Sequence, residues 1–272
     1  MTLITKLSTS FTDTTLPKLV KDPAIVDGTR LLVDMKAVGT WPSQQSSVTT
    51  SSQLFSLVDN SWPTLGVLGT HTYNSTRGGL QANASSSIDG NSGLWLSDTS
   101  TGIFNDATHA WVFTFWFYRG AAASGSFFLL QDRAVDLRSK SSGGPCTLEI
   151  YGADGTSNPK YLIGNNYDLL RRLGFAVYQD ASNVWKYRTV VDNSVSSELN
   201  LSGATNTAGG AGLRASASGT TRPRVFPVPG GFSGVPTDYL FYRTFVEDLS
   251  LSGRTYQQAF DADWARGNGR FS

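Results

Sequence analysis

A chain of 272 residues can bury a sizeable core without covalent staples, and its single cysteine, Cys146, excludes an intrachain disulfide framework. With 22 basic and 21 acidic residues the net charge is +1, and no basic block exceeds Arg171-Arg172 or Arg222-Pro223-Arg224, so a nucleic-acid partner is not expected. Two histidines and one cysteine are too few for an ordinary zinc site, and no apolar run is long enough for membrane insertion.

Residues 1–28 are polar and Thr-rich, with Pro17 and Pro23, and cannot form a core alone. Leu16, Leu19 and Ile25 recur among them, which predicts an extended arm that docks through these side chains, ahead of one domain over 29–272. The first residues lack the continuous apolar stretch of a secretory signal, so the chain is expected to be made in the cytoplasm of its host.

Residues 31–35 read as the first strand, followed by a Ser/Thr/Gln-rich loop from Trp41 to Ser52 and a second short strand over 54–58. Residues 59–92 read as surface loops with one weak strand at 79–82, and residues 93–96 as a further strand. The stretch 111–118 organises the chain. Side chains alternate across a strand, so Trp111, Phe113, Phe115 and Phe117 share one face, and Val112, Thr114, Trp116 and Tyr118 the other. Such a strand belongs in the middle of a sheet covered on both sides, its aromatic face in the core.

Strands are then expected at 127–131, 146–151, 161–163, 173–178 and 185–192, the last with clear period-two alternation. Residues 202–236 read as a long Gly/Ser/Pro-rich loop, and 238–245 as a last core strand. Tyr256, Phe260 and Trp264 fall on one helical face, predicting a helix over 255–265 with Ser252 as cap and Gly267 as its end. Many short strands at this spacing predict an all-β antiparallel sandwich.

Three segments in this order resemble the concanavalin A-like lectin/glucanase jelly roll of the laminin-G-like kind. They are the aromatic strand Phe113-Thr114-Phe115-Trp116-Phe117, the strand pair 173–178 and 185–192, and the closing strand 238–245 with its short helix. The likeness implies one jelly-roll sandwich with a short C-terminal helix. The segment 31–59 also resembles the start of such domains in bacteriophage structural proteins. That resemblance implies a non-catalytic virion protein of a tail, fibre or capsid surface. It would be located in the virion and assemble with copies of itself and other virion proteins. The alternative is a lectin-like module that binds a host surface glycan, and a third reading is a polysaccharide-degrading enzyme.

Glycosidases need two carboxylates flanking one bond. Only Glu149, Glu198 and Glu247 occur, none of them clustered, and Glu149 and Asp154 read as solvated across a turn, so no catalytic residue is assigned. His71 and His109 read as solvated or structural. No cofactor is read from the residues themselves. The resemblance implies a rim Ca²⁺, for which Asp132, Asp136, Asp180, Asp192 and Asn193 lie at strand ends, although turn chemistry accounts for Asp there as well. Glycan or partner contacts are expected from Trp41, Trp62, Tyr73 and Trp185, by ring stacking, and from Arg222 and Arg224 in a Pro-stiffened loop.

Overall fold

The computed structural model describes residues 22–58, 66–68, 70–82, 93–95, 106–119, 125–130, 135–139, 146–163, 169–214, 224–226 and 239–271. The first strands are β1 (Thr29–Asp34), β2 (Ser47–Val48), β3 (Gly66–Leu68), β4 (His71–Asn74), β5 (Gly79–Ala82) and β6 (Gly93–Trp95). The middle ones are β7 (Trp111–Arg119), β8 (Gly125–Leu130), β9 (Val135–Ser139), β10 (Cys146–Tyr151), β11 (Ser157–Ile163) and β12 (Leu169–Gln179). β13 (Trp185–Val191), β14 (Ser194–Val195), β15 (Leu199–Asn200), β16 (Arg224–Phe226) and β17 (Tyr239–Asp248) follow, and the helices α1 (Leu249–Ser252) and α2 (Tyr256–Gly267) close the chain.

Two antiparallel sheets result. The larger runs β14-β13-β12-β7-β17-β5-β4-β2, with β1 also on β17 and β15 also on β13; the smaller runs β11-β10-β9-β8-β16-β6-β3. The chain is an all-β antiparallel sandwich with a short C-terminal helix. β7 lies mid-sheet between β12 and β17, as its composition requires.

The aromatic face of β7 turns inward, where Trp111, Phe113, Phe115 and Phe117 are fully buried in the main core between the sheets. Phe115 stacks on Phe241 with centroids 5.3 Å apart, and Phe113 meets Phe175 at 5.6 Å. Burying each such ring stabilises by roughly 1.5–3 kcal/mol, with about 0.5–1.5 kcal/mol more for a well-oriented pair.

The opposite face of the large sheet is covered too. Val112, Ala176, Val190 and Phe245 pack beneath Ala259 and Phe260 of α2, together with Ala24, Ile25 and Leu32. Trp116 and Tyr242 form a neighbouring cluster with Phe271 and Trp264. Covered on both sides, β17 is buried along its whole length. A bulge between Phe241 and Arg243 shifts its register against β7.

Residues 22–28 of the expected arm dock on this chain's own domain: Ile25 packs against the helix-side cluster and Asp22 is buried. Leu16 and Leu19 lie outside the described residues. The helix begins later than its spacing predicted. Thr255, not Ser252, is the cap, and a reciprocal capping box with Gln258 is worth about 1 kcal/mol. Ser252 instead closes the one-turn helix α1. Gly267 is the last residue of α2, as expected, with Asn268 as the C-cap, and a Cβ there would come within 2.4 Å of the Trp116 ring.

Residues 54–58 form no strand. Ser56 stands in for one: its Oγ accepts from Leu32 N–H at 3.2 Å and donates to Leu32 C=O at 3.3 Å, covering the free edge of β1. β3 and β4 fall within the stretch read as loop, and Arg224 belongs to β16 between β8 and β6 rather than to a loop. β16 pairs only with β6 and β8, both far away in sequence, and so leaves little local pattern.

Candidate functional site

After β1 the chain turns twice, with Ala37 N–H bonded to Asp34 C=O and Trp41 N–H to Ala37 C=O. The Trp41 ring enters the main core and is only 4% exposed, while its Nε1–H donates to Gln45 C=O at 3.2 Å. Between them Gln44 adopts a left-handed backbone, φ +49°, which an L-residue holds only when its surroundings fix it. Its side chain supplies the fixing. Nε2 donates to Trp41 C=O at 2.6 Å and to Met35 C=O at 3.4 Å, and Oε1 accepts the Tyr73 hydroxyl at 2.8 Å.

β2 then pairs with β4, and residues 49–52 form a tight turn in which Ser52 Oγ accepts from Thr49 N–H at 2.9 Å. Phe55 N–H returns to Thr40 C=O at 2.9 Å, so the segment 41–55 closes on itself.

The closed segment encloses a groove of about 480 Å³, within the range of small-molecule sites. Trp41, Pro42 and Phe55 give its apolar lining; Ser43, Ser47, Gln45 and Gln53 bring hydroxyls and amides, and among the described residues none that lines it is charged. These four polar residues are exposed. Each hydroxyl or amide side chain both donates and accepts hydrogen bonds, which is the complement of a polyhydroxylated ligand. Of the two rings, partly exposed Phe55 offers the larger fraction of its surface.

Of the expected contacts that fall among the described residues, Trp41 is the one that lines this groove. Tyr73 and Trp185 are corrected from surface contacts to core residues. Tyr73 braces Gln44 from beneath, and Trp185 packs over Gly212 and donates its indole N–H to Gly210 C=O at 2.9 Å. Trp62 and Arg222 lie outside the described residues, and Arg224 sits within the smaller sheet. Gln45, Gln53 and Phe55 were not anticipated; the signal that could have found them is the Ser/Thr/Gln-rich run that follows Trp41.

The carboxylates are engaged elsewhere. Glu149 is buried rather than solvated and accepts the Tyr151 hydroxyl at 2.7 Å, whereas Asp154 is exposed and caps Thr156 N–H. Glu198 accepts from Tyr178, whose hydroxyl is pushed up to about 12 by burial and by that hydrogen bond. Glu247 pairs with Arg254. His71 is a buried residue of β4, and His109 Nδ1 lies 2.7 Å from Asp248.

Two of the residues expected for Ca²⁺ are engaged by the protein's own groups. Asp180 accepts from Ser182 and Val184 N–H and faces Lys186 at 3.3 Å, and Asp192 pairs with Arg171. Asp136 lies on β9, and Asp132 is outside the described residues. Among the described residues no group of three or more acidic, His or Cys side chains is placed to hold a metal. Among them, too, no helix is long and apolar enough to cross a membrane.

One further cluster is fully buried. Arg243 donates to Asp263 at 2.8 Å, Asp22 at 3.0 Å and Asp34 at 3.2 Å, joining α2, the N-terminal segment and β1. Asp263 also accepts from Thr114 Oγ1 at 2.7 Å and Trp116 Nε1 at 2.8 Å. From outside, Arg266 reaches Asp22 and Arg270 reaches Asp34. Burial by itself raises the Asp22 carboxyl, but the charge and hydrogen bond of Arg243, helped by Ala24 N–H and Arg266, hold it below the usual carboxylate range.

The architecture is similar to that of botulinum neurotoxin binding domains. It superposes with TM-score 0.56 and 7% identity on the ligand binding domain of botulinum neurotoxin serotype D in complex with N-acetylneuraminic acid, over 92% of this chain and 54% of that one. The receptor binding domain of the C/D mosaic serotype gives 0.51 and 7% over 86% and 51%. The binding domain of botulinum neurotoxin DC in complex with rat synaptotagmin II gives 0.51 and 8% over 87% and 52%. The chain thus spans about half the length of the structures it matches. No protein-family model and no curated protein matches it.

Proposed function

We propose that this chain is a lectin-like, carbohydrate-binding module and that the groove of residues 41–55 is its binding site. The observation that carries the reading is a preorganised, solvent-open groove in which hydroxyls and amides surround two aromatic side chains. Support also comes from the fold's neighbours, one of which is a ligand binding domain in complex with N-acetylneuraminic acid. The proposed module is non-catalytic: Glu149, Glu198 and Glu247 are each engaged by a hydroxyl or an arginine rather than facing one another across a cleft.

The proposed setting is the surface of a bacteriophage particle, resting on the resemblance of residues 31–59, with the module presented by neighbouring virion proteins to a host glycan. A glycan array probed with the purified chain tests the binding function. Retention on a defined set of saccharides is expected; an array on which no saccharide is retained overturns it. Particles examined by mass spectrometry test the setting separately, since absence of the chain from them removes the virion role.

A further inference from the structure

We infer that the groove selects uncharged saccharides and rejects those ending in an acidic sugar. The inference rests on the carbohydrate-binding reading and narrows it to a ligand class. Two independent observations lead there.

The first is the chemistry of the walls. Among the described residues, every side chain lining the groove is neutral, and the polar ones (Ser43, Ser47, Gln45 and Gln53 among them) are hydroxyls and amides. A sugar hydroxyl is itself both donor and acceptor and can be matched by either group. A carboxylate accepts only, and its strong partners are guanidinium and ammonium groups. Among the described lining residues it meets only neutral donors, which compensate its desolvation less well than a cation does.

The second observation is how Lys36, Arg266 and Arg270, none of which lines the groove, are engaged. Lys36, five residues before Trp41, donates its ammonium to Arg270 C=O at 2.9 Å. Arg270 in turn faces Asp34 at 3.0 Å, and Arg266 faces Asp22 at 3.1 Å. These positive charges answer the protein's own carboxylates and the C-terminal backbone, not the groove.

The groove is also rigid enough to discriminate. Gln44 holds the loop through hydrogen bonds to Trp41, Met35 and Tyr73, and residues 41–55 contain no Lys or Arg of their own. Exposed Gln53 is the side chain best placed to report on the site, because it lines the groove and packs in no core cluster.

The test compares neutral lactose- and N-acetyllactosamine-type oligosaccharides with the same scaffolds capped by N-acetylneuraminic acid, using the full chain and its Gln53→Ala and Ser43→Trp variants. Both substitutions are at exposed positions, so the fold is retained, and circular dichroism verifies it. Expected are retention of a neutral scaffold and its loss on capping. Gln53→Ala should weaken binding about fivefold to tenfold, as for one hydrogen bond, and Ser43→Trp should abolish it. Equal or tighter binding of the capped scaffold, weakened by the same variants, overturns the ligand class while leaving the carbohydrate reading intact. Neutral binding that neither variant changes overturns the assignment to this groove. Failure of every saccharide, neutral or acidic, removes the carbohydrate-binding reading itself.

Discussion

Two regions of the large sheet treat polar groups in opposite ways. On the helix-covered face, Arg243 and three aspartates are sealed beneath α2, and the whole set is joined by direct hydrogen bonds. At the β2 end, hydroxyls and amides of residues 43–53 face solvent, and no charge is among them. Charge sits where the fold must lock distant segments together, because a buried ion is tolerated only when fully paired. Neutral polarity sits where water must be exchanged for another ligand, because such groups leave water at small cost.

The largest effect should come from breaking the sealed face. Asp263→Ala removes the acceptor shared by Thr114, Trp116 and Arg243, and urea denaturation should show a loss of about 3–5 kcal/mol, the range for a broken buried pair. Binding by the molecules that remain folded should be unchanged. A loss of saccharide affinity in that folded fraction would mean that the two regions are coupled.

Acid should act on the same face. Asp22 has a depressed folded value, so its contribution is fully present above its unfolded value of 3.8 and lost as pH falls through the lower folded one. Hydrogen exchange should therefore show residues 22–28 protected at neutral pH and opening only below about pH 4. Opening at pH 6 would show that Asp22 is not what holds the segment.

Between the extremes, Tyr73→Phe deletes one hydrogen bond to Gln44 and should cost about 1 kcal/mol in thermal or urea unfolding. It should also weaken saccharide binding, because the loop carrying Trp41 loses its brace. The smallest effect on stability is expected for Gln53→Ala, within about 0.5 kcal/mol of the parent in urea. A larger shift would place Gln53 in the packing rather than in the groove wall.

Much of the sandwich was legible in the chain because its strongest strands carry their own period. Trp111, Phe113, Phe115 and Phe117 point inward as alternation demands, and α2 follows from Tyr256, Phe260 and Trp264. What was not legible depends on residues far apart in sequence. Trp185 looked available for stacking, yet Gly212 contributes the space its ring fills, since a Cβ there would lie 2.5 Å from the indole. Asp263 sits on the buried face of a helix only because Arg243, Thr114 and Trp116 await it from two other strands. In the groove, Trp41 was anticipated, but Gln44 becomes a brace only when Tyr73 arrives from β4.

The most direct test is amide chemical-shift mapping of the full chain titrated with a neutral N-acetyllactosamine-type oligosaccharide. Shifts confined to residues 41–55, with Tyr73 following through its contact with Gln44, are the predicted result. Shifts gathered on α2 and the helix-covered face, with residues 41–55 silent, would contradict it.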